Sequence, residues 1–215
     1  VNFTNTSVNG NNLPVTAMTF RWDFGNGTTS NAINPSVTFA PASVNDTVYH
    51  VKLVSYSNHG CPDSIVKDVT VHPLPKAQFV MSSSDGCGPL PVTFTNTSSQ
   101  GNGLPIANMT FRWDFGNGVV SAAKDTTIQF SPSLTKDTLY TIKLVAYSQF
   151  GCADSITKQV RVYPKPKSRF TASDTALCAG GLVTFNNTSY PNDTGSINIM
   201  SFYWDLGNGA HSTLR

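Results

Sequence analysis

Three short stretches of the chain combine acidic, amide and glycine residues in a way that could bind a metal ion. They share the pattern Trp-Asp-Phe/Leu-Gly-Asn-Gly and begin at Trp22, Trp113 and Trp204. An Asp-Phe-Gly triplet holds magnesium in protein kinases, and a turn rich in Asp and Asn can supply oxygen ligands to calcium. The stretch is therefore either a repeated metal site or a repeated part of the architecture.

The surrounding sequence favours architecture. A kinase-type site also needs a catalytic-loop motif and a strand lysine, and neither accompanies Asp114. Calcium takes six to eight oxygen ligands, more than Asp114 and Asn117 supply, so calcium binding is the less favoured alternative. No Ser/His/Asp or Cys/His set recurs with the motif. We therefore expect no enzyme activity, no cofactor and no metal, and interpret the aspartates as caps of a hairpin turn.

The motif recurs with a fixed period of 91 residues. Cys61 and Cys152 are also 91 residues apart, and residues 1–27 match residues 92–118 at 20 of 27 positions. A period of about 90 residues is the size of one small domain. We predict three tandem repeats in a segment of a longer protein, the first without its opening strand and the third truncated. Repeats 1, 2 and 3 are residues 1–73, 74–164 and 165–215.

Composition and charge argue against several partners. The net charge is +2 and lysine and arginine do not cluster, so we expect no binding of nucleic acid. No apolar run approaches the roughly 18–20 residues that span a bilayer, so we expect no membrane insertion of this segment. Four cysteines at fixed repeat positions favour an oxidising, extracellular or cell-surface location over a metal site.

Apolar and polar residues alternate along short segments, which predicts half-buried antiparallel strands. Residues 109–115 alternate in this way, and so do residues 140–148 and the equivalent segment that begins at Tyr49. Segments that begin at Val92 and Asp154 are rich in β-branched residues and read as further strands. Short strands separated by turn residues in a 90-residue unit predict an all-β fold, with an antiparallel β-sandwich in each repeat.

Proline marks the borders between repeats. Residues 71–79 and residues 162–170 each place two prolines between the last strand of one repeat and the first strand of the next. A Pro-x-Pro linker is extended and semi-rigid. We therefore expect neighbouring repeats to be held nearly end to end.

The motif resembles the Trp-Asp-Phe-Gly-Asp-Gly signature of the polycystic kidney disease (PKD) domain, an immunoglobulin-like β-sandwich. The similarity continues through residues 89–98 and 137–148 and covers essentially the whole chain. It implies tandem immunoglobulin-like PKD sandwiches. The second acidic position of the family signature is asparagine in all three copies, which weakens any cation binding.

In such a fold the motif is a strand, a core residue and a turn. Alternation directs Trp113 inward beside Phe111 and Phe115. Asn117-Gly118 favours a tight hairpin because both positions can adopt positive φ, and Tyr140 lies where sandwiches often have a tyrosine corner. The predicted core and turn residues are Trp22, Asp23, Gly27, Trp113, Asp114, Gly118, Trp204, Asp205 and Gly209.

A second motif, Asp-Ser/Thr followed by an apolar residue or Thr, recurs along the chain. It resembles the O-glycosylation sequon of Bacteroidota, whose exported proteins often carry cysteine-containing PKD repeats. Several copies fall at equivalent repeat positions, although Asp-Ser/Thr pairs also suit turns and strand starts without any modification. The candidate glycosylation sites are Thr47, Ser64, Thr126, Thr138, Ser155 and Thr175.

The resemblance implies two classes of function. The first is a non-catalytic structural repeat in a stiff stalk or filament of a large surface adhesin. Its partners would be neighbouring repeats, or other copies in a filament. The second is an accessory carbohydrate- or protein-binding module of a secreted hydrolase, which needs several exposed coplanar rings. Tyr56 and Tyr147 are the candidate outward rings, one per repeat, and near-identical repeats favour the stalk.

Immunoglobulin-like strand order places Cys87 and Cys152 at opposite ends of one domain. A nine-residue strand is about 30 Å long, whereas a disulfide needs Cα atoms within about 7 Å. We therefore expect Cys87 to bond to the equivalent of Cys152 in the following repeat, near position 243. Cys152 would bond to a cysteine about four residues before Val1, with pairing between chains as the alternative. The candidate inter-repeat disulfide residues are Cys61, Cys87, Cys152 and Cys178.

Overall fold

A computed structural model of the chain describes residues 1–9, 15–40, 45–101, 105–133, 136–192 and 200–214. The regular structure in these ranges consists of short β-strands and two single-turn 3-10 helices, Val15–Ala17 and Ile106–Asn108. The predicted all-β class is confirmed.

The described part of repeat 1 contains the strands β1 (Thr19–Asp23), β2 (Thr29–Ser30), β3 (Thr47–Tyr56) and β4 (Pro62–Val71). They form an antiparallel sheet with the order β2-β1-β3-β4. Trp22 of β1 lies opposite Leu53 of β3, and β3 pairs with β4 along its whole length.

The described part of repeat 2 forms two sheets, as a sandwich requires. The strands are β5 (Phe79–Met81), β6 (Asp85–Cys87), β7 (Leu90–Asn96), β8 (Thr110–Asp114), β9 (Val120–Ser121), β10 (Thr126–Phe130), β11 (Thr138–Tyr147) and β12 (Ala153–Tyr163). One sheet has the order β10-β7-β5 and the other the order β6-β12-β11-β8-β9.

Repeat 3 contains two short antiparallel ribbons in the part of it that the structure describes. Their strands are β13 (Phe170–Ala172), β14 (Phe185–Asn187), β15 (Trp204–Asp205) and β16 (His211–Ser212). One ribbon pairs β13 with β14 and the other pairs β15 with β16.

The predicted alternation is confirmed by burial in repeat 2. Phe94 of one sheet and Trp113 of the other are both fully buried, and their ring centroids lie 5.7 Å apart. Ile142 and Leu144 point into the same core from β11. The Tyr140 hydroxyl donates a hydrogen bond to the Ser131 carbonyl oxygen at 2.6 Å, the bond that defines a tyrosine corner.

The opening strand of repeat 2 was only partly predicted. The chain forms β5 in one sheet, leaves it after Met81 and then forms β6 in the other sheet, parallel to the end of β12. Cys87 is the last residue of this additional strand. The segment has no alternation to reveal it, because backbone hydrogen bonds such as Arg161 N–H to Ser84 O at 2.9 Å hold it.

Contacts divide the chain into two compact units that cut across the predicted repeats. The first contains residues 1–77, 98–110 and 145–155, and the second contains residues 78–97, 111–144 and 156–215. The linker up to Ala77 therefore belongs to the same unit as two segments of repeat 2. The repeat borders themselves remain a prediction.

Candidate functional site

The motif tryptophan is a core residue that also makes a fixed hydrogen bond. The Trp113 indole N–H donates to the Ala123 carbonyl oxygen at 2.9 Å, and Phe79 packs edge-on against its ring with centroids 5.1 Å apart. Trp22 and Trp204 make the same indole bond ten residues along the chain, at 3.0 and 2.8 Å. The indole thus anchors the segment that follows the hairpin.

The motif aspartate binds backbone of its own turn. Asp114 Oδ1 accepts a hydrogen bond from Gly116 N–H at 2.9 Å, and Asn117 Oδ1 accepts one from Val119 N–H at 3.0 Å. Asp23 and Asp205 cap their turns in the same way, each at 3.0 Å. These bonds satisfy amide groups that the hairpin loop leaves unpaired.

The turn depends on two glycines rather than on the Asn-Gly pair alone. Gly116 and Gly118 have φ of +68° and +85°, in the left-handed region that favours glycine. A Cβ atom at Gly116 would lie 2.8 Å from the Thr141 carbonyl oxygen, whereas one at Gly118 would meet nothing within 4 Å. The stricter requirement is therefore at Gly116, which the Asn-Gly pattern of the sequence does not indicate.

No metal centre is found in the ranges that the structure covers. Groups of three or more His, Cys, Asp or Glu residues that could hold an ion do not occur there. Likewise, none of the helices described is long and apolar enough to cross a membrane.

The linker between repeats 1 and 2 is packed against protein. Pro73, Pro75 and Ala77 are buried, while Leu74 and Lys76 between them are exposed. Lys76 and Ser99 exchange two backbone hydrogen bonds of 2.8 and 2.9 Å. The linker therefore behaves as a short strand with an inward face.

Side chains of repeat 2 hold the same linker. The Asp154 carboxylate accepts a hydrogen bond from Ala77 N–H at 2.8 Å. The His72 ring stacks on the Phe150 ring with centroids 3.5 Å apart and an interplanar angle of 2°. Gly101 leaves room for Pro73, since a Cβ there would lie 2.9 Å from the proline Cβ. The two prolines of the linker predict an extended chain but none of these contacts.

The second linker is attached to repeat 3 by related bonds. Lys167 and Tyr190 exchange backbone hydrogen bonds of 2.9 and 3.1 Å, at positions 91 residues after Lys76 and Ser99. The Asn192 side-chain amide donates to the Lys165 carbonyl oxygen at 2.8 Å. Both linkers thus have the same backbone attachment.

A groove of about 310 Å³ lies in repeat 1 beside Phe3, Trp22 and Lys67. In repeat 2 the equivalents of all three residues contact β5. Phe79 of β5 packs on two aromatic rings, and its carbonyl oxygen accepts a hydrogen bond from Lys158. The groove is therefore lined by residues of the kind that contact a β-strand in repeat 2, and not like a small-molecule pocket.

All four cysteines are free in the structure. Cys87 lies opposite Tyr163, the last residue of β12, whereas Cys152 directly precedes the first residue of that strand. Cys61 occupies the position before β4 that Cys152 occupies before β12.

The candidate glycosylation residues differ in exposure. Ser64, Ser155 and Thr175 are exposed, while Thr47, Thr126 and Thr138 are half-buried. The Thr138 hydroxyl already accepts a hydrogen bond from Ser133 N–H at 2.8 Å. Tyr56 and Tyr147, the candidate outward rings, are half-buried as well.

Comparison with known proteins gives structural neighbours but no family. No protein-family model matches the chain, and no curated protein does. Similar solved structures include the PKD1 domain of the Vibrio cholerae metalloprotease PrtV, 29% identical over 41% of this chain and 96% of that one, with a TM-score of 0.33. The PKD1 domain of Vibrio anguillarum Epp is 24% identical over 42% and 95%, with a TM-score of 0.34.

Fibronectin(III)-like modules of Clostridium thermocellum CbhA are also similar. They are 15% identical over 68% of this chain and 77% of that one, with a TM-score of 0.36. The strands and sheets described above define this chain as an all-β protein of immunoglobulin-like sandwich type.

Proposed function

We propose that the chain is a non-catalytic, extracellular structural repeat that forms a stiff stalk or filament of a large surface adhesin. The observation that carries this proposal is the packed linker of residues 72–77. A projecting stalk needs junctions that resist bending, and a flexible tether would use solvated glycine and serine.

The junction contacts supply that resistance. Bending at the linker would expose Pro73 and Pro75, unstack His72 from Phe150 and break the hydrogen bond of Ala77. Each hydrogen bond contributes about 0.5–1.5 kcal/mol net, and more when the acceptor is charged. Aromatic stacking adds about 0.5–1.5 kcal/mol. Together these terms favour one junction geometry by more than thermal energy.

The accessory-module alternative finds less support in the same geometry. A glycan platform needs several exposed coplanar rings, and Tyr56 and Tyr147 are half-buried. The groove beside Trp22 has the lining of a strand site. Neither feature favours carbohydrate binding over a structural role.

The proposal can be tested on cells that display the parent protein. Replacing residues 73–76 and the equivalent linkers by Gly-Ser-Gly-Ser should reduce cell attachment under flow while antibody staining shows unchanged display. A control in which the exposed residues 122–124 and their equivalents are replaced by Ser-Gly-Ser should attach normally. Undiminished attachment of the linker variant would contradict the stalk.

We further propose that O-linked sugars decorate the stalk at the Asp-Ser/Thr motifs. Ser64 and Ser155 are the best candidates because both are exposed at equivalent positions on β4 and β12. Intact-mass measurement of the protein from its native host should exceed the polypeptide mass by whole sugar units. The bare polypeptide mass would eliminate this proposal.

A further inference from the structure

The cysteine of β6 has a defined neighbour at the end of its repeat. Cys87 lies beside Tyr163 in a parallel ladder, and the next residue, Gly88, donates its N–H to the Tyr163 carbonyl oxygen at 2.9 Å. His72 is the equivalent of Tyr163 one period of 91 residues earlier. It directly follows Val71, the last residue of β4. A β6-type strand in repeat 1 would thus place its cysteine beside His72.

The cysteine before β12 has an equally defined position. Ser148 and Cys152 close a tight turn, with Ser148 N–H donating to the Cys152 carbonyl oxygen at 2.8 Å. Phe150 lies at the tip of this turn and stacks on His72, with ring centroids 3.5 Å apart. His72 of one repeat therefore contacts the turn that holds the cysteine of the next repeat.

These two placements put both cysteines next to the contact between His72 and Phe150. The β6-type cysteine would lie one strand spacing, about 4.8 Å, from His72, and Cys152 follows Phe150 by two residues. A disulfide joins Cα atoms about 4.4–6.8 Å apart. We propose that the β6 cysteine of each repeat forms a disulfide with the cysteine that precedes the β12-type strand of the following repeat. The bond closes across the stack that His72 makes with Phe150.

Pairing within one repeat is opposed by the length of β12. Cys87 lies opposite the last residue of this strand, and Cys152 precedes its first. An eleven-residue strand rises about 3.3 Å per residue, or roughly 35 Å in all. That separation far exceeds the reach of a disulfide.

The reaction is an ordinary thiol–disulfide exchange with an extracytoplasmic oxidant. One cysteine thiolate attacks a disulfide of the oxidant and releases one of its sulfurs as a thiolate. The second cysteine then attacks the mixed disulfide, forms the protein S–S bond and releases the other sulfur. Two cysteine thiols lose two protons and two electrons, and the oxidant disulfide becomes two thiols. The bond does not depend on the stalk function and would stand if that proposal failed.

A longer version of the chain tests the pairing directly. Copying residues 75–91 ahead of Val1 gives repeat 1 its own β5, β6 and cysteine. After folding in a glutathione redox buffer, we expect the added cysteine to be linked to Cys152, with three free thiols remaining. Mass spectrometry of an unreduced tryptic digest should show the added peptide joined to the Cys152 peptide, residues 144–158.

Two variants serve as controls. Cys152→Ser should leave the added cysteine free, and Cys61→Ser should leave the new bond intact. A link between Cys87 and Cys152 within repeat 2, or five free thiols in a chain with native circular dichroism, would overturn the proposal. If the extended chain fails to fold, the same digest of the protein from its native host tests the pairing. A peptide of residues 144–158 linked to a β6 peptide of the preceding repeat would support the proposed disulfide. Any other partner of Cys152 would contradict it.

Discussion

At the residue scale, each polar group of the repeated motif has a structural partner. Asp114 and Asn117 each hold an amide of the turn, and the Trp113 indole holds the segment beyond it. These three side chains could have been read as a metal site from their types alone. The number of motif copies and the scarcity of further oxygen ligands point instead to architecture, and the turn geometry agrees.

Trp113→Ala should destabilise the protein severely. Trp113 is fully buried among Phe79, Phe94 and Phe115, and truncating a buried large aromatic costs about 3–5 kcal/mol. That is a large part of the roughly 5–15 kcal/mol that stabilises a domain. Urea unfolding followed by circular dichroism would measure the loss. Val120→Ala, at an exposed position, should change it by less than about 0.5 kcal/mol, and equal stability of the two variants would refute the core role.

The two motif glycines provide a matched pair. Gly118→Ala should cost about 1–2 kcal/mol, because alanine is strained at positive φ but meets no atoms there. Gly116→Ala carries the same strain and also collides with the Thr141 carbonyl oxygen, which adds about 1–3 kcal/mol. Denaturant midpoints of the two variants should therefore differ clearly. Equal midpoints would show that the close approach to β11 is unimportant.

At the element scale, the alternation of apolar and polar residues predicts the long strands but not the short ones. Long strands such as β11 carry a period of two because one face is buried, so their sequences identify them. The short strand β6 has no such pattern, since its pairing with β12 rests on backbone bonds that any residue could make. The linker is similar. Two prolines predict an extended chain, but the surface of repeat 2 that covers it cannot be read from the linker itself.

Asp154→Ala tests the attachment of the linker to repeat 2. The variant removes the carboxylate that accepts a hydrogen bond from Ala77 N–H. Ala77 is buried, with 5% of its surface exposed. We expect hydrogen exchange at that amide to accelerate by at least about tenfold, because an unpaired amide opens to solvent more readily. Asp63→Ala, the equivalent change in repeat 1, should leave the Ala77 amide as it was. Unchanged exchange in Asp154→Ala would show that the carboxylate does not secure the linker.

At the scale of the whole molecule, the central feature is repetition with an attached linker. The backbone bridge of Lys76 to Ser99 recurs 91 residues later as that of Lys167 to Tyr190. The linker side chains are less uniform, because Gly101 accommodates Pro73 whereas the equivalent Asn192 bonds to Lys165. The sequence predicts the period and the repeat borders, and those borders stay a prediction, because the two compact units cut across the repeats.

The stiffness of the junction is tested most directly with two spin labels, one on each side of the linker, by measuring the distribution of distances between them. Labels at Val66→Cys and Val120→Cys, both exposed positions, would be attached to a chain whose native cysteines are serine. Pulsed electron spin resonance should give one narrow distance peak, and replacing residues 73–76 by Gly-Ser-Gly-Ser should broaden it several-fold. A broad distribution in the unaltered linker, equal to that of the replacement, would contradict the account.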